Sequence, residues 1–195
     1  LVAGTPIFIV SDEVYAHIVF DGRRHESLLR TPALAARSFV VGSFGKTFHA
    51  TGWKVGYCIA PPALTAELRK IHQYLTFAVN TPVQLALADY MARHPDPVEL
   101  AAFYQAKRDL FRRLLAGSRF RPLDCEGTYF QMLDYSALSA EPDLAFARRI
   151  TREHGVAAIP PAVFYHAGDD HRVLRFCFAK GDDTLAAAAE RLCRI

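Results

Sequence analysis

Two unbroken apolar runs limit what this chain can fold into. Residues 6–10 (PIFIV) and 39–41 (FVV, inside SFVVGS) lack the alternation of a strand that shows one face to water. Runs of this kind read as strands covered on both faces, the pattern of a mostly parallel sheet with flanking helices. The fold class expected is therefore α/β. In open sheets of that class ligands bind beyond the carboxyl ends of the strands. The segments at those ends are SDEVY at 11–15 and SFGKTFHATGWKVGY at 43–57, and the candidate ligand contacts are sought there first.

Lys46 is the first candidate. A loop lysine is ordinarily a solvated charge. Phe44, Phe48 and Trp53 around it suggest a packed loop instead, and burial lowers an amine's pKa toward the range where it attacks carbonyls. Gly45-Lys46-Thr47 also matches the tail of a phosphate-binding P-loop, but the first glycine of that motif would fall on Val40, so the mononucleotide reading fails. Asp12 with Glu13 reads either as a solvated loop or as a ligand contact. Arg175 lies between apolar residues in a strand-like run at 173–179, and an arginine there needs an anion, either an internal carboxylate or a ligand.

Composition removes several function classes. The chain has 195 residues, 51% of them hydrophobic, which is enough for a real core. Its net charge of +3 comes from interspersed acids and bases, so neither nucleic acid nor a membrane surface is an expected partner. No apolar run is long enough for a membrane span. Cys58, Cys125, Cys177 and Cys193 show no paired spacing, and two of them lie within apolar strand-like runs as buried free thiols do, which favours a reducing cytoplasm. His17, His25, His49 and His72 have no metal-ligand spacing, and no metal is expected. Residues 1–4 (LVAG) read as the end of a helix with a glycine stop, so the chain is expected to begin within a domain.

Along the chain, 17–20 reads as a short edge strand, and 23–37 as polar and partly helical with Pro32 as a break. Residues 56–60 form a strand, and Pro61-Pro62 opens a helix that breaks at 80–82 before another runs through Met91. Residues 94–97 (HPDP) are the linker candidate, giving domains 1–95 and 96–195. A helix over 98–116 presents Arg108, Arg112 and Arg113 as a solvated face. Strands over 119–122, 128–133 and 156–159, with a helix over 143–153 stopped by Gly155, suggest a small α/β domain. Asp182-Asp183-Thr184 is expected to cap a last helix over 185–193.

Together, SDEVY, SFGKTFHATGWKVGY and RFCFAK at 175–180 resemble the class I/II aminotransferases of pyridoxal-phosphate fold type I, near the methionine and kynurenine aminotransferase branch. The resemblance covers the later part of such an enzyme: the second half of a large cofactor domain, then a small C-terminal domain. It implies that Lys46 bonds covalently to the aldehyde of pyridoxal 5′-phosphate as an imine and shuttles the substrate proton. Asp12 would face the ring nitrogen, Tyr15 the ring oxygen, and Ser43 and Lys54 the phosphate, with lysine where many relatives carry arginine. Arg175 would grip the substrate α-carboxylate, and Phe77 would reach the neighbouring active site of a homodimer. The implied reaction moves an amino group from an amino acid, methionine or aromatic, to a 2-oxo acid. A carbon–sulfur β-lyase on the same residues is the alternative, and so is a fragment inactive on its own.

Overall fold

The computed structural model describes residues 1–94 and 98–195. The chain forms two compact units, Leu1–Leu100 and Ala101–Ile195. The linker expected at 94–97 falls, from Pro95 to Pro97, outside the described residues.

The first unit is built on a three-stranded sheet in the order β1 (Ile9–Asp12), β2 (Ser38–Ser43), β3 (Gly56–Ile59). β1 and β2 run parallel, Ile9 beside Ser38 through Asp12 beside Val41. β3 returns antiparallel, with Ser43 beside Gly56 and Val40 beside Ile59. Laterally paired residues point to the same face. One face therefore carries Ser38, Val40 and Gly42, all buried, Val40 to 3% exposure. The other carries Val10, Phe39, Val41 and Cys58.

That second face departs from the expectation of strands buried on both sides. Val10 is 73% exposed and Phe8, just before β1, 62%. Every residue of β3 is exposed, Tyr57 and Ile59 on the first face and Cys58, which is thus not the buried thiol expected, on the second. Residues 17–20 form no edge strand, yet Ile18 and Phe20 are fully buried, their side chains anchoring the loop that returns from β1. Pro32 opens a short helix, α1 (Pro32–Ala35), rather than breaking one, because a first-turn proline lacks only an N–H that has no partner there anyway.

Two helices follow β3: α3 (Pro62–Leu75) and α4 (Thr81–Arg93), after a single helical turn, α2 (Phe44–Thr47), between β2 and β3. The Asn80 side chain caps α4 by accepting from Val83 N at 3.2 Å. No residue of α3 is buried, and in α4 only Leu87 is. Tyr74, Leu75, Phe77 and Leu85 stand exposed around the turn that joins them.

The second unit has a closed core. α5 (Val98–Leu114) precedes an antiparallel sheet in the order β4 (Arg121–Pro122), β5 (Phe130–Asp134), β6 (Val173–Cys177). Helix α6 (Asp143–His154) buries Asp143, Phe146, Ala147 and Ile150, the i, i+3, i+4, i+7 stripe of an amphipathic helix, and ends on Gly155 at φ 64°. Helix α7 (Asp182–Cys193) starts at Asp182, three residues earlier than expected. Gly181 is its N-cap, and Asp182 and Asp183 lie in the first turn, where their charge favours the helix dipole. Residues 156–159 contribute only a bridge from Ile159 to Arg175.

Arg108 is not on a solvated face. It is buried on the same stripe of α5 as Tyr104 and Phe111, with Nη1 donating to the Cys125 carbonyl at 2.8 Å and Nε paired with Asp109 at 2.8 Å. Spacing alone could not separate it from Arg112 and Arg113, because a buried acceptor on a distant loop leaves no local signature. No helix among the described residues is long and apolar enough to cross a membrane.

Candidate active site

Because β1 and β2 are parallel, they end at the same edge of the sheet. Glu13 N donates to Val41 O at 2.8 Å, locking the two exits side by side. Asp12 and Tyr15 leave from β1, and Ser43 and Lys46 from β2. The antiparallel return starts β3 opposite Ser43, which brings Lys54 to that same end. Five of the seven candidate residues thus gather at one end of one sheet. Lys46 Nζ lies 5.8 Å from the centroid of the Tyr15 ring, and Asp12 Oδ1 accepts from Val14 N at 3.2 Å.

Lys46 sits on the helical turn α2 rather than in a loop. The turn is held by the segment after it: Ala50 N and Thr51 Oγ1 both donate to Gly45 O at 3.1 Å. A Cβ on Gly45 would come within 2.8 Å of Thr51 Cα, so only glycine allows this approach. Phe44 packs on Phe48 and Tyr57, with ring centroids 6.2 and 5.1 Å apart. A cavity of about 520 Å³ borders Phe44, Thr47, Phe48 and Tyr57 beside this turn. Trp53, expected to help pack Lys46, is instead largely exposed. Lys54 is exposed at φ 57°, ψ 44°, a left-handed conformation that a non-glycine residue adopts at a cost of about 1–2 kcal/mol. Such outliers collect at functional sites.

Glu13 is the residue that sequence reasoning missed. Its side chain is only 9% exposed. Oε1 accepts from Ser11 Oγ at 3.0 Å and Leu28 N at 3.1 Å, while Oε2 lies 2.9 Å from His25 Nε2. Burial raises its pKa, but the bonds from His25, Ser27, Leu28 and Ser11 outweigh it and hold the carboxyl below the ordinary glutamate range. Glu13 therefore ties the β1 exit to residues 25–28, a stretch with no expected chemistry. His25, in which no metal-ligand spacing was found, is half of that tie. The only local signal was a second acid beside Asp12, which solvated loops share.

Arg175 belongs to the second unit. Its guanidinium carbon lies 4.3 Å from the Phe130 ring centroid and 5.6 Å from that of Phe164. Nε is buried without a hydrogen-bond partner, and Arg175 makes no ion pair among the described residues. A structural carboxylate, one of the two expected anions, is thus not found there. Phe164 is held by the 3₁₀ turn Pro161–Phe164, which is pinned because Ala162 N donates to buried Asp143 Oδ2 at 2.8 Å. Phe77 follows α3 at φ 65° and is 85% exposed. No cluster of three or more His, Cys, Asp or Glu able to hold a metal occurs among the described residues.

Comparison with known proteins accounts for this arrangement. The family model "Aminotransferase class I and II" matches residues 1–192. A methionine aminotransferase of Escherichia coli (strain K12) is 54% identical over 192 residues, 98% of this chain and 50% of that protein. A kynurenine–oxoglutarate transaminase of Dictyostelium discoideum is 36% identical, over 96% of this chain and 48% of that one. The crystal structure of YbdL from Escherichia coli, described as having a methionine aminotransferase function, superposes with a TM-score of 0.95 at 53% identity, over 100% of this chain and 52% of that one. N-succinyldiaminopimelate aminotransferase from Mycobacterium tuberculosis superposes with a TM-score of 0.90 at 33% identity, over 99% and 51%. The chain spans about half the length of the curated relatives it matches. Matched over nearly its whole length in sequence and fold, it belongs to the class I and II aminotransferases and carries their fold type I α/β architecture.

Proposed function

We propose that this chain carries the lysine, aspartate, tyrosine and arginine of a pyridoxal-phosphate-dependent aminotransferase. Its reaction would move an amino group from an amino acid to a 2-oxo acid. The observation that carries the reading is the amine of Lys46 set 5.8 Å from the Tyr15 ring, at the strand edge that Asp12 also leaves. A primary amine, a phenol and a carboxylate at one strand edge fit the needs of pyridoxal phosphate. When bound, that group supplies an aldehyde that takes the amino group and a ring that accepts the electrons released at Cα.

Lys46 would hold the aldehyde end, and its Nζ would take and return the proton at the substrate Cα. Asp12 would keep a proton at the ring nitrogen, since an adjacent carboxylate raises the pKa of a cationic nitrogen by about 1–3 units. Tyr15 would donate to the ring oxygen. Ser43 Oγ and Lys54 Nζ would hold the phosphate, Lys54 as a point charge. Arg175, beside the Phe130 and Phe164 rings and with no counter-charge among the described residues, would present its fork to the substrate α-carboxylate.

Methionine is the donor to test first, with aromatic amino acids next, on the strength of the relatives named above. We further propose domains at 1–95 and 96–195, a cytoplasmic location in keeping with four free cysteines, and a homodimer in which Phe77 reaches the neighbouring active site. The exposed Tyr74, Leu75, Phe77 and Leu85 support that last assignment.

Borohydride reduction in the presence of pyridoxal phosphate, followed by peptide mapping, tests the site. The label is expected on Lys46 and is lost in Lys46→Ala; a label on another residue overturns the assignment. The experiment is run on this chain and on a chain extended to the length of its relatives. The longer protein is then assayed with methionine and a 2-oxo acid. Release of ammonia and a 2-oxo acid without an acceptor would identify a β-lyase instead.

A further inference from the structure

The stretch that leads into β6 is tied to the start of a helix distant in sequence. Asp143, the first residue of α6, is only 3% exposed, and its Oδ2 accepts from Ala162 N at 2.8 Å. Its own N–H donates to Asp170 Oδ2 at 2.8 Å, and Asp170 Oδ1 accepts from Arg172 N at 2.7 Å. Residues 162 and 172 are thus both fixed to one helix terminus, the second through Asp170. Arg172, at φ 52°, leads directly into β6, where Arg175 exchanges two backbone bonds with Ile159 at 2.9 and 3.0 Å.

Between these ties the stretch carries apolar side chains that it does not bury. Val163, Phe164 and Tyr165 are 55%, 67% and 47% exposed. Phe164 nevertheless has a defined neighbour, the Arg175 guanidinium, whose carbon lies 5.6 Å from its ring centroid and 4.3 Å from that of Phe130. A largely exposed ring on a four-residue turn has little packing of its own to hold it there. The bond from Ala162 N to Asp143 supplies the constraint. Burying a carboxylate is unfavourable, and an exposed acid would serve the helix dipole as well, so the buried one is explained by the main-chain group it holds.

We propose that Asp143 is a positioning residue for the carboxylate grip. By pinning the Pro161–Phe164 turn it sets the Phe164 ring beside Arg175, and so places the guanidinium before a substrate arrives. Asp143 acts through Phe164 and touches no substrate. The proposal rests on the reading of Arg175 as the α-carboxylate contact, and not on the role of Lys46.

Modification of Arg175 by phenylglyoxal, followed by peptide mapping of the 195-residue chain, reads this geometry with neither cofactor nor substrate present. Phe164→Leu and Asp143→Ala are each expected to speed modification of Arg175 about three- to tenfold, the range that a cation lying on an aromatic ring is worth, while Arg112 and Arg113 react as in the parent. Asp143→Asn keeps an acceptor for Ala162 N and stays within about twofold of the parent. Phe164→Leu alters an exposed side chain, and if Asp143→Ala does not fold, Asp143→Val fills the buried space without an acceptor. The second arm uses the chain extended to the length of its relatives and loaded with pyridoxal phosphate. There the Asp143 variant is expected to raise KM for the amino acid and the 2-oxo acid alike, about three- to tenfold, with kcat changed less than about twofold, because both substrates carry the carboxylate that Arg175 holds throughout the reaction. A change that only destabilised the protein would lower kcat and leave KM alone. Combined with Phe164→Leu, the Asp143 variant is expected to add nothing further, since one residue acts through the other. Arg175→Lys is the reference: unchanged KM for both substrates would refute the carboxylate reading, and the phenylglyoxal arm would still decide the positioning. The proposal is overturned by parent-like modification of Arg175 in Phe164→Leu or in a folded Asp143 variant, by a fall in kcat at constant KM, or by a double variant whose effect is the product of the two single ones.

Discussion

Replacing Glu13 tests the claim that the Asp12 loop is held from outside the strand that delivers it. Bonds from Ser11 Oγ, His25 and Leu28 N at 2.9–3.1 Å, with Ser27 beside them, converge on this carboxylate, and the side chain is almost wholly enclosed. Hydrogen bonds to a charged acceptor contribute about 1.5–3 kcal/mol each, and unpaired buried donors left behind cost about 1–3 kcal/mol. These bonds share one group and are not additive. Glu13→Ala, which strands these donors together, should destabilise the chain by about 3–4 kcal/mol. Glu13→Gln keeps one acceptor oxygen and should cost about 1–2 kcal/mol.

The charge also sets a pH signature. The folded pKa lies below the ordinary value of 4.5, so the unfolded chain binds the proton more tightly. The stabilisation is complete above 4.5 and is lost as pH falls through the folded pKa. Urea unfolding of the parent chain and Glu13→Gln, from pH 7 down to pH 3, is the assay. The two stability curves should converge in acid. A separation that stays constant below pH 4.5, or a Glu13→Ala effect under about 0.5 kcal/mol, would refute the reasoning.

Gly45→Ala should destabilise the first unit by about 1–3 kcal/mol in urea unfolding, because its Cβ meets the Thr51 backbone at 2.8 Å and neither segment can swing away as a flexible side chain would. The same change should reduce labelling of Lys46 by pyridoxal phosphate and borohydride. At position 54 the left-handed backbone favours glycine, so Lys54→Gly should be about 1 kcal/mol more stable than Lys54→Ala by thermal unfolding, although both lose the charge. Arg108→Met leaves the Cys125 carbonyl without its donor, and should lower stability by about 1–3 kcal/mol, whereas Arg112→Met should stay within about 0.5 kcal/mol.

Much of the first unit was legible from local chemistry. Asn80 before Thr81-Pro82 and Pro62 after Pro61 mark helix starts, because each supplies or removes one backbone hydrogen bond at a defined place. In the second unit Gly155 ended α6 as expected, since it tolerates the left-handed cap. The order strand–acid, strand–lysine was equally readable. A parallel pairing turns that order in sequence into proximity in space, and it set Lys46 against Tyr15.

Sequence alone determined the features that neighbours in the chain determine: strand runs, caps, stops and the residues that leave each strand. Tertiary structure decided the rest. Whether an apolar run is covered depends on the element lying across from it, and the same pattern that promised two buried faces left Val10 in solvent while sealing Val40. Arg108 and Glu13 read as surface charges until Cys125, His25 and Leu28, 12–17 residues away, supplied their partners. Burial and pairing of a charge are set by contacts distant in sequence, and no local pattern encodes them.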